Sequence, residues 1–358
     1  MFEEIRRPTL VVDTDKVRRN ALRMKGKADR NGTAFQPHLK THQSRVIGRL
    51  FRDLGVRTGT VSSVEMAKLF ADDGWDDLTI AFPANLREIG EMDELAGRIR
   101  LGLLADNPDT VRALAAGLGH PVDLWIQIDV GSRRCGIEAG DQPGLTAVSE
   151  AVRASPRLRL AGVLTHDSRT YGARGPEAIA ALFREGRDAL LSAKAFLAAE
   201  GWPDLRASSG DTPSMSLVED WSGLDEVRPG NFAYYDLQQY VAGSCSPGDI
   251  AAAVACPVVG VYPRRGEAVV YGGAVHLSKQ SQALPEGGTS YGAVFEVRDG
   301  RWTGFREGAG VRTVTQEHGI VRMGPEDLAS TRIGDLVFLC PVHSCLAADL
   351  LRPNTVYL

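Results

Sequence analysis

Short apolar runs alternate with segments of helical periodicity through the first two-thirds of the 358-residue chain. Apolar residues recur at helical spacing at Val17, Ala21, Met24 and Ala28, before the capping Gly32. Strands that alternate with helices pair in parallel. The apolar runs predict strands at Thr9–Val12, Thr33–Leu39, Arg57–Val61, Leu78–Phe82, Arg98–Leu103, Val122–Ile128, Leu158–Leu164, Leu205–Ala207 and Leu224–Val227.

This series of strands fits a closed (β/α)8 TIM-type barrel with one strand left over. We assign the eight strands from Thr33 to Val227 to the barrel and give Thr9–Val12 to a second domain. An open doubly wound sheet is the alternative, but the first strand–helix turn has no GxGxxG motif.

After about Pro247, helical periodicity largely disappears. Turns rich in Gly, Pro and Asp separate short β-rich runs, which predicts a mostly antiparallel β domain. The runs are Val254–Val261, Ala268–Val270, Tyr291–Val297, Val311–Thr315, Gly319–Met323 and Leu336–Leu339. We therefore predict two domains, as the chain length also favours: 14–245 forms the barrel, and 246–358 with 1–13 forms the C-terminal β domain.

Composition and charge narrow the classes of function. The net charge of −4 and pI near 6.0 give no electrostatic reason to expect nucleic acid or an anionic membrane as partner. The N-terminal MFEEIRRPTLVVD lacks the apolar stretch of a signal peptide and no run of 18 apolar residues exists, so we expect a cytoplasmic protein. The 5 cysteines include no CxxC pair, which argues against a disulfide framework and leaves a thiolate ligand or core thiols.

Two polar loops follow the predicted seventh and eighth barrel strands, at the strand ends where barrel enzymes carry their active sites. The segments Ala207–Pro213 and Arg228–Asn231 offer glycine and exposed backbone N–H groups, which a phosphate group needs. Either loop alone is explained as well by turn formation. Their occurrence together at these two strand ends favours phosphate binding.

Lys40 closes the first predicted barrel strand, in the segment PHLKTH at Pro37–His42. A lysine forms a Schiff base with a cofactor aldehyde only if its amine is partly neutral. The neighbouring His38 and His42 are expected to lower the pKa of Lys40. By position alone, a surface lysine at a strand end is the simpler interpretation.

A series of segments, in this order, resembles the D-threonine aldolase and D-serine dehydratase family, within the alanine-racemase-like (fold-type III) pyridoxal-phosphate enzymes. The resemblance covers essentially the whole chain from Arg7, and it implies a barrel followed by a β domain. The segments are PHLKTH at 37–42, SSVEMA at 62–67, IDVGSRRCG at 128–136, SSGDTPS at 208–214, RPGNFAYYD at 228–236, QEHG at 316–319 and PVHSC at 341–345.

The resemblance implies roles for individual residues. Lys40 would hold pyridoxal 5'-phosphate as a Schiff base and then accept the substrate α-proton. Arg134 would meet the pyridine nitrogen, with Arg133 as the alternative, and Tyr171 would lie beside the cofactor. His166, in the same loop as Tyr171, is either a site residue or a structural histidine. The residues implied to bind the phosphate are Ser209, Gly210, Thr212, Gly230 and Asn231.

His343 and Cys345 form the HxC of PVHSC, and on an extended segment both side chains would face the same side. Without the resemblance, Cys345 is most simply a core thiol. The resemblance implies that the pair binds a divalent metal. Thiolate and imidazole favour zinc, with manganese or magnesium as alternatives. The metal would coordinate the substrate β-hydroxyl as a Lewis acid.

The resemblance thus implies a metal-dependent lyase that acts on D-serine or D-threo-3-hydroxyaspartate and releases a keto acid and ammonia. Aldolase members tend to show HxD where this chain has HxC, so retro-aldol cleavage to glycine and an aldehyde is the alternative. Racemases with related barrels exist, and a non-catalytic pyridoxal-phosphate carrier is the alternative of another class. Arg169 or Arg312 is a candidate for a second substrate carboxylate, and we expect a homodimer.

Overall fold

The computed structural model describes residues 2–284 and 287–358, which divide into two compact units. We name the described part of Met1–Ala21, with Thr41–Ile47 and Asn231–Leu358, the β unit. Leu22–Lys40 and Gly48–Gly230 form the barrel unit. The predicted domain limits, 14–245 and 246–358 with 1–13, follow chain order and stay a prediction.

The strands are β1 Thr9–Val12, β2 Ala34–Phe35, β3 Gly59–Val61, β4 Asp77–Pro83, β5 Arg100–Ala105, β6 Val122–Asp129, β7 Ile137–Glu138, β8 Leu158–Leu164, β9 Arg206–Ser209, β10 Glu226–Val227, β11 Ala252–Tyr262, β12 Glu267–Tyr271, β13 Gln282–Ala283, β14 Thr289–Ser290, β15 Gly292–Arg298, β16 Arg301–Val314, β17 His318–Arg322, β18 Leu336–Pro341 and β19 Thr355–Tyr357.

The helices are α1 Thr14–Arg30, α2 Arg45–Asp53, α3 Val64–Ala71, α4 Ile89–Ala96, α5 Pro108–Gly117, α6 Gln142–Arg153, α7 Pro176–Ala199, α8 Thr212–Leu217, α9 Leu237–Ala242, α10 Ala274–Leu277, α11 Pro325–Ser330 and α12 Ser344–Leu350. None of those formed by the described residues combines the length and apolar character needed to span a membrane.

In the described part of the barrel unit, parallel strands follow the order β2-β10-β9-β8-β6-β5-β4-β3, with the short β7 beside β6. A parallel bridge between His38 and Thr60 joins the two ends of this series. The Thr60 N–H also donates to the Pro37 carbonyl at 3.0 Å. The sheet therefore closes on itself, and the predicted (β/α)8 barrel is confirmed.

The first barrel strand is shorter than the predicted Thr33–Leu39, because regular pairing ends at Phe35. Pro37 has no N–H to donate to a ladder. The chain then tightens into a 3-10 turn over Leu39–Thr41. Lys40 therefore lies half-buried on this turn, just beyond the strand that was expected to end with it.

Charged side chains from six neighbouring strands form a partial ring at the end of the barrel where the strands begin, and we name this ring the barrel floor. The Asp123 carboxylate accepts from Arg100 Nη2 at 2.8 Å and from Arg159 Nη2 at 2.6 Å. Arg206 pairs with the buried Glu226, and its guanidinium stacks 4.6 Å from the Trp125 ring centre. In strand order, the ring consists of Glu226, Arg206, Arg159, Asp123, Arg100 and Asp77.

Antiparallel strands of the β unit follow the order β12-β17-β16-β15-β18-β11, and β11 also pairs with β12, so they close a second, smaller barrel. β1 and β19 extend this sheet beyond β11. The predicted antiparallel domain is confirmed. The first half of β16 was missed because only Trp302 is buried along Arg301–Gly310, so its sequence lacks an apolar face.

Candidate active site

Within the barrel unit, the positive charges of Lys40 and Arg134 both lower the pKa of His166. Burial lowers the pKa of His166 to about 3, and the positive charges of Lys40 and Arg134 add to this effect. His166 Nδ1 lies 2.6 Å from the Gly210 carbonyl oxygen. Because a carbonyl only accepts, Nδ1 carries the proton of a neutral ring and Nε2 carries its lone pair. The structure thus brings together a lysine, an arginine and a glycine loop that follow different strands.

The glycine loop after β9 has little spatial freedom. A Cβ on Gly210 would lie 2.5 Å from the backbone carbonyl carbon of Arg228, so only glycine fits at this point. α8 begins at Thr212, whose N–H donates to the Tyr171 hydroxyl at 3.3 Å. Tyr171 therefore lies against the loop predicted to bind phosphate. The Tyr171 ring centre is also 5.8 Å from that of His166.

Buried side chains tie the loops after β6, β8 and β9 to one another. Thr170 Oγ1 donates to Asp211 Oδ1 at 2.8 Å, and Ser132 Oγ donates to Asp167 Oδ1 at 3.3 Å. Asp211 also caps α8 by accepting from the Ser214 N–H at 2.8 Å. Burial raises the pKa of Asp211 to about 6. These contacts hold the loops that carry Arg134, His166 and Gly210 in one arrangement.

The structure distinguishes the two neighbouring arginines after β6. The Arg133 backbone has a φ of 51°, and its N–H donates to Asp129 Oδ2 at 3.0 Å. The charge of Arg134, in contrast, contributes to the pKa of His166. Arg134 is therefore the better candidate for a cofactor contact, which stays a prediction.

Both arginines that are candidates for a second substrate carboxylate pair with carboxylates of this chain. Arg169 Nη2 lies 2.8 Å from Asp167 Oδ2 and Nη1 lies 2.9 Å from Glu185 Oε1, and these acids raise the pKa of Arg169. Arg312 Nε donates to Glu267 Oε1 at 2.9 Å. Because a guanidinium has five N–H donors, these ion pairs do not decide whether it can also bind a substrate carboxylate, and the role of both residues stays a prediction.

The HxC pair belongs to the β unit and does not lie on an extended strand, contrary to the prediction. β18 ends at Pro341, and His343 is the N-cap of α12, which carries Cys345 in its first turn. The backbone of His343 is extended, at φ −131° and ψ 106°, whereas Cys345 is helical. The relative orientation of the His343 and Cys345 side chains therefore depends on how α12 begins.

Two hydrogen-bonding groups of the β unit lie beside the Cys345 sulfur. Thr41 Oγ1 is 3.2 Å from Sγ, and Asn231 Nδ2 is 3.6 Å from it. Asn231 Nδ2 also lies 2.6 Å from Asp236 Oδ2 and 3.1 Å from Ser344 Oγ. The side-chain nitrogen of Asn231 is thus already hydrogen-bonded. The prediction that Asn231 contacts the phosphate is therefore kept only for its backbone N–H.

His343 is oriented by a neighbouring amide. Its Nδ1 lies 3.2 Å from Gln238 Oε1, an acceptor, so Nδ1 carries the proton and Nε2 has the lone pair that a metal requires. The described residues contain no group of three or more His, Cys, Asp and Glu side chains arranged for a metal. His343 Nε2 and the Cys345 sulfur stay our predicted metal ligands, and these two donor types suit a borderline-soft divalent ion with open coordination positions.

His42 is a buried histidine that stays neutral. It is buried in the β unit, and burial lowers its pKa to about 3. Its Nδ1 accepts from the Ser44 N–H at 3.1 Å. The expectation that His38 and His42 lower the pKa of Lys40 stays a prediction.

Two buried aspartates were missed as site residues. Asp211 and Asp236 are the N-caps of α8 and α9, and each directly precedes its helix. Aspartate before a helix start is a recognisable capping signal. Turn formation is the alternative interpretation of the loop that contains Asp211. A capping signal gives no sign of the further contacts of Asp211 with Thr170 and of Asp236 with Ser344.

Comparisons with known proteins match nearly the whole chain. Residues 12–238 match the alanine racemase N-terminal domain family, and residues 251–357 match a serine dehydratase domain. D-threo-3-hydroxyaspartate dehydratase of Delftia sp. (strain HT23) is 30% identical over 94% of this chain and 90% of its own. D-serine dehydratase of Schizosaccharomyces pombe is 27% identical over 97% and 87%.

Solved structures agree with the sequence comparisons. The structure of the Delftia enzyme has a TM-score of 0.89 and 29% identity, covering 97% of this chain and 93% of that chain. One solved structure is of a cysteine-to-alanine mutant of D-threo-3-hydroxyaspartate dehydratase in the metal-free form. D-threonine aldolase of Arthrobacter sp. is more distant, 25% identical over 64% of this chain and 61% of its own.

The two matched domains follow each other in the order that the resemblance implied, and the relatives that cover both are named dehydratases. The chain therefore belongs to the alanine-racemase-like family of D-hydroxy amino acid lyases that contains these dehydratases and aldolases.

Proposed function

We propose that this protein is a pyridoxal-phosphate- and divalent-metal-dependent dehydratase of a D-β-hydroxy amino acid, with D-serine or D-threo-3-hydroxyaspartate as substrate. The reaction removes the α-proton and the β-hydroxyl together as water. The resulting enamine becomes an imine, whose hydrolysis takes up one water and gives a keto acid and ammonia. For D-serine, the keto acid is pyruvate.

One observation carries the cofactor assignment. Lys40 and Arg134 lie close enough to the half-buried His166 for their charges to contribute to its low pKa, and this ring is hydrogen-bonded to Gly210. An amine for covalent attachment, a guanidinium and a glycine loop for phosphate are the groups that pyridoxal phosphate needs at its different ends. When bound, this cofactor supplies the electron sink for loss of the α-proton.

The predicted cofactor-binding residues then have distinct tasks. Lys40 attaches the cofactor and afterwards accepts the α-proton. Arg134 can only donate hydrogen bonds, so it keeps a pyridine nitrogen that it contacts unprotonated. Ser209, Gly210, Thr212, Gly230 and Asn231 remain our candidates for the phosphate, with backbone N–H groups as the donors.

An unprotonated pyridine nitrogen weakens the electron sink, so departure of the hydroxyl requires assistance. We assign this assistance to a divalent metal held by His343 Nε2 and Cys345 Sγ, with zinc as the first candidate and manganese or magnesium as alternatives. The orientation of His343 by Gln238 supports this assignment.

Retro-aldol cleavage to glycine and an aldehyde is the second candidate, because relatives include D-threonine aldolases. The presence of HxC rather than HxD favours dehydration. A non-catalytic carrier is disfavoured because residues 251–357 match a serine dehydratase domain, which a carrier has no need of. We retain a homodimer in the cytoplasm as our expectation for the assembled enzyme.

The test is a panel of D- and L-serine, D- and L-threonine and both series of 3-hydroxyaspartate, with keto acid, ammonia and aldehyde measured with and without a chelator. We expect keto acid from D substrates only, because one base on one face of the cofactor reaches the α-proton of one enantiomer. Chelation should reduce the rate about 100- to 1,000-fold, as loss of a charge stabiliser commonly does.

The same panel contains the results that contradict the proposal. Aldehyde and glycine as the main products would establish the retro-aldol reaction instead. Equal rates on both enantiomers would indicate a racemase or another lyase. Full activity after chelation would contradict the metal assignment, and Cys345 would then be interpreted as a structural thiol.

A further inference from the structure

Cys345 belongs to a hydrogen-bond network. None of our predictions gives the other members of this network a role in metal binding. Within the β unit, Asn231 Nδ2 and Thr41 Oγ1 both lie within hydrogen-bonding range of Sγ, at 3.6 and 3.2 Å. We propose that Asn231 and Thr41 are positioning residues that hold the Cys345 sulfur for a divalent metal and set the affinity of the site. This inference rests on the proposed function, in which His343 and Cys345 bind that metal.

The orientation of the Asn231 amide is determined by its other contacts. The side chain is almost fully buried, and Nδ2 lies 2.6 Å from Asp236 Oδ2. A carboxylate oxygen only accepts, so the nitrogen and not the oxygen of the amide faces it. Asp236 takes one of the two N–H groups of the amide, so the second N–H, which the Ser344 hydroxyl shares at 3.1 Å, is the one available to the Cys345 sulfur. No repelling amide oxygen faces the sulfur.

Asp236 anchors this amide to the helix that carries the ligands. Its Oδ2 also accepts from the backbone N–H of Ser344, at 2.9 Å, and its Oδ1 accepts from the Gln239 N–H, at 2.9 Å. Ser344 is the first residue of α12 and separates His343 from Cys345. One fully buried carboxylate thus caps α9, orders the start of α12 and aligns Asn231.

Thr41 approaches the sulfur from a different segment of the β unit. A sulfur that ligates a metal only accepts hydrogen bonds, so the Thr41 hydroxyl must be the donor in the metal-bound protein. Two donors from Thr41 and Asn231 restrict where Sγ can lie and reduce the charge that it presents to the ion. Partners of this kind typically change metal affinity about 10- to 100-fold when removed.

The experiment compares cobalt binding by the wild-type protein with that of Asn231→Ala and Thr41→Val. The full-length protein with cofactor bound is stripped of metal by a chelator and titrated with Co²⁺, and the cobalt–thiolate charge-transfer absorption reports ligation by Cys345 without any turnover. Competition with Zn²⁺ then gives the affinity of the site for Zn²⁺. Cys345→Ser should abolish the cobalt–thiolate absorption.

Ser44→Ala is the matched control, because it removes a hydroxyl from the same Thr41–Ile47 segment. The Ser44 hydroxyl lies 2.6 Å from that of Tyr357 instead of beside Cys345. We expect Asn231→Ala and Thr41→Val each to weaken Co²⁺ and Zn²⁺ binding about 10- to 100-fold, and Ser44→Ala to retain wild-type affinity. Thermal melting and the cofactor absorbance verify that the variants fold.

Wild-type affinity in both Asn231→Ala and Thr41→Val overturns the inference. If Asn231→Ala does not fold, the near-isosteric Thr41→Val decides alone: unchanged affinity overturns the inference and weakened affinity supports it. Weakening of the same size in Ser44→Ala would also overturn it, because a general effect of the segment would then explain the loss. If the wild-type protein itself gives no cobalt–thiolate absorption, it is the metal assignment of the proposed function that fails.

Discussion

Lys40 and Lys16 show how differently two lysines of one chain can be placed. Burial lowers the pKa of Lys16 to about 8, so this amine is more often neutral than that of an ordinary lysine. Its Nζ nevertheless donates to the backbone carbonyl oxygen of Trp302 at 2.6 Å and to that of Ile250 at 3.2 Å. An amine held in this way ties the β unit together instead of forming a Schiff base.

We therefore predict that borohydride fixes the cofactor to Lys40 and not to Lys16. Peptide mapping of the reduced protein gives the position of the label. Lys16→Met should retain the label, whereas Lys40→Ala should lose both the label and the absorbance of the lysine-bound cofactor. A label on Lys16, Lys68 or Lys279 would contradict the assignment.

At the scale of single residues, the sequence predicted Lys40, Arg134 and the glycine loop because each belongs to a characteristic short segment. Asn231 and Thr41 also belong to such segments, yet their contacts with Cys345 are not readable from them. These contacts join residues 114 and 304 positions apart in the chain. Spacing along a sequence carries no information on such a pair.

Among the elements, α8 is a helix whose N-cap residue, Asp211, also makes a second side-chain contact. Asp211 caps α8 and also accepts from Thr170, and burial raises its pKa to about 6 from a usual 3.8. The folded protein therefore binds a proton more tightly at this site than the unfolded chain does. The stability that this proton contributes is complete below pH 3.8 and is lost as the pH rises through about 6.

We predict that wild-type protein loses about 1 kcal/mol of unfolding free energy, relative to Asp211→Asn, between pH 5 and pH 7. Asparagine is an equally good N-cap and carries no charge, so only the titration is removed. Urea unfolding at several pH values measures the difference. Asp141→Asn, at the exposed N-cap of α6, is the control and should run parallel to wild type. If the difference in unfolding free energy between wild type and Asp211→Asn does not change with pH, the prediction is contradicted.

The elements of the barrel were predictable because strand and helix periodicities alternate regularly. The start of α12 was not, since PVHSC contains no local signal that separates a strand from a helix there. The N–H of Ser344 is satisfied by Asp236, a residue 108 positions earlier. An expectation based on an extended HxC therefore failed for a non-local reason.

For the molecule as a whole, the barrel floor is the least conventional part of the barrel unit. Layers of branched apolar side chains commonly fill a barrel of this type. Here, the Asp123 carboxylate serves both Arg100 and Arg159, with distances of 2.6–2.9 Å to their guanidinium nitrogens. The two arginines would repel each other without it.

We predict that Asp123→Asn lowers the free energy of unfolding by about 2 kcal/mol, because it removes a mostly buried charge that two partners share. The cofactor absorbance and kcat/KM should stay close to wild type, since the predicted site lies where the strands end. Asp109→Asn breaks an exposed pair with Arg112 and should change stability by no more than about 0.5 kcal/mol. Equal effects of the two variants would refute a special role for the floor.

The barrel floor has a consequence for how this protein can diverge. The mouth of the barrel carries the groups to which we assign the chemistry, so we expect few substitutions to be tolerated there. The floor is held by paired charges, of which Arg206 and Glu226 form the most buried pair. A whole buried ion pair can often be exchanged for apolar residues of similar volume with no loss of stability. Lineages adapting to heat or to high salinity therefore have a region to rebuild, in matched pairs of substitutions, while the reaction at the opposite end stays the same.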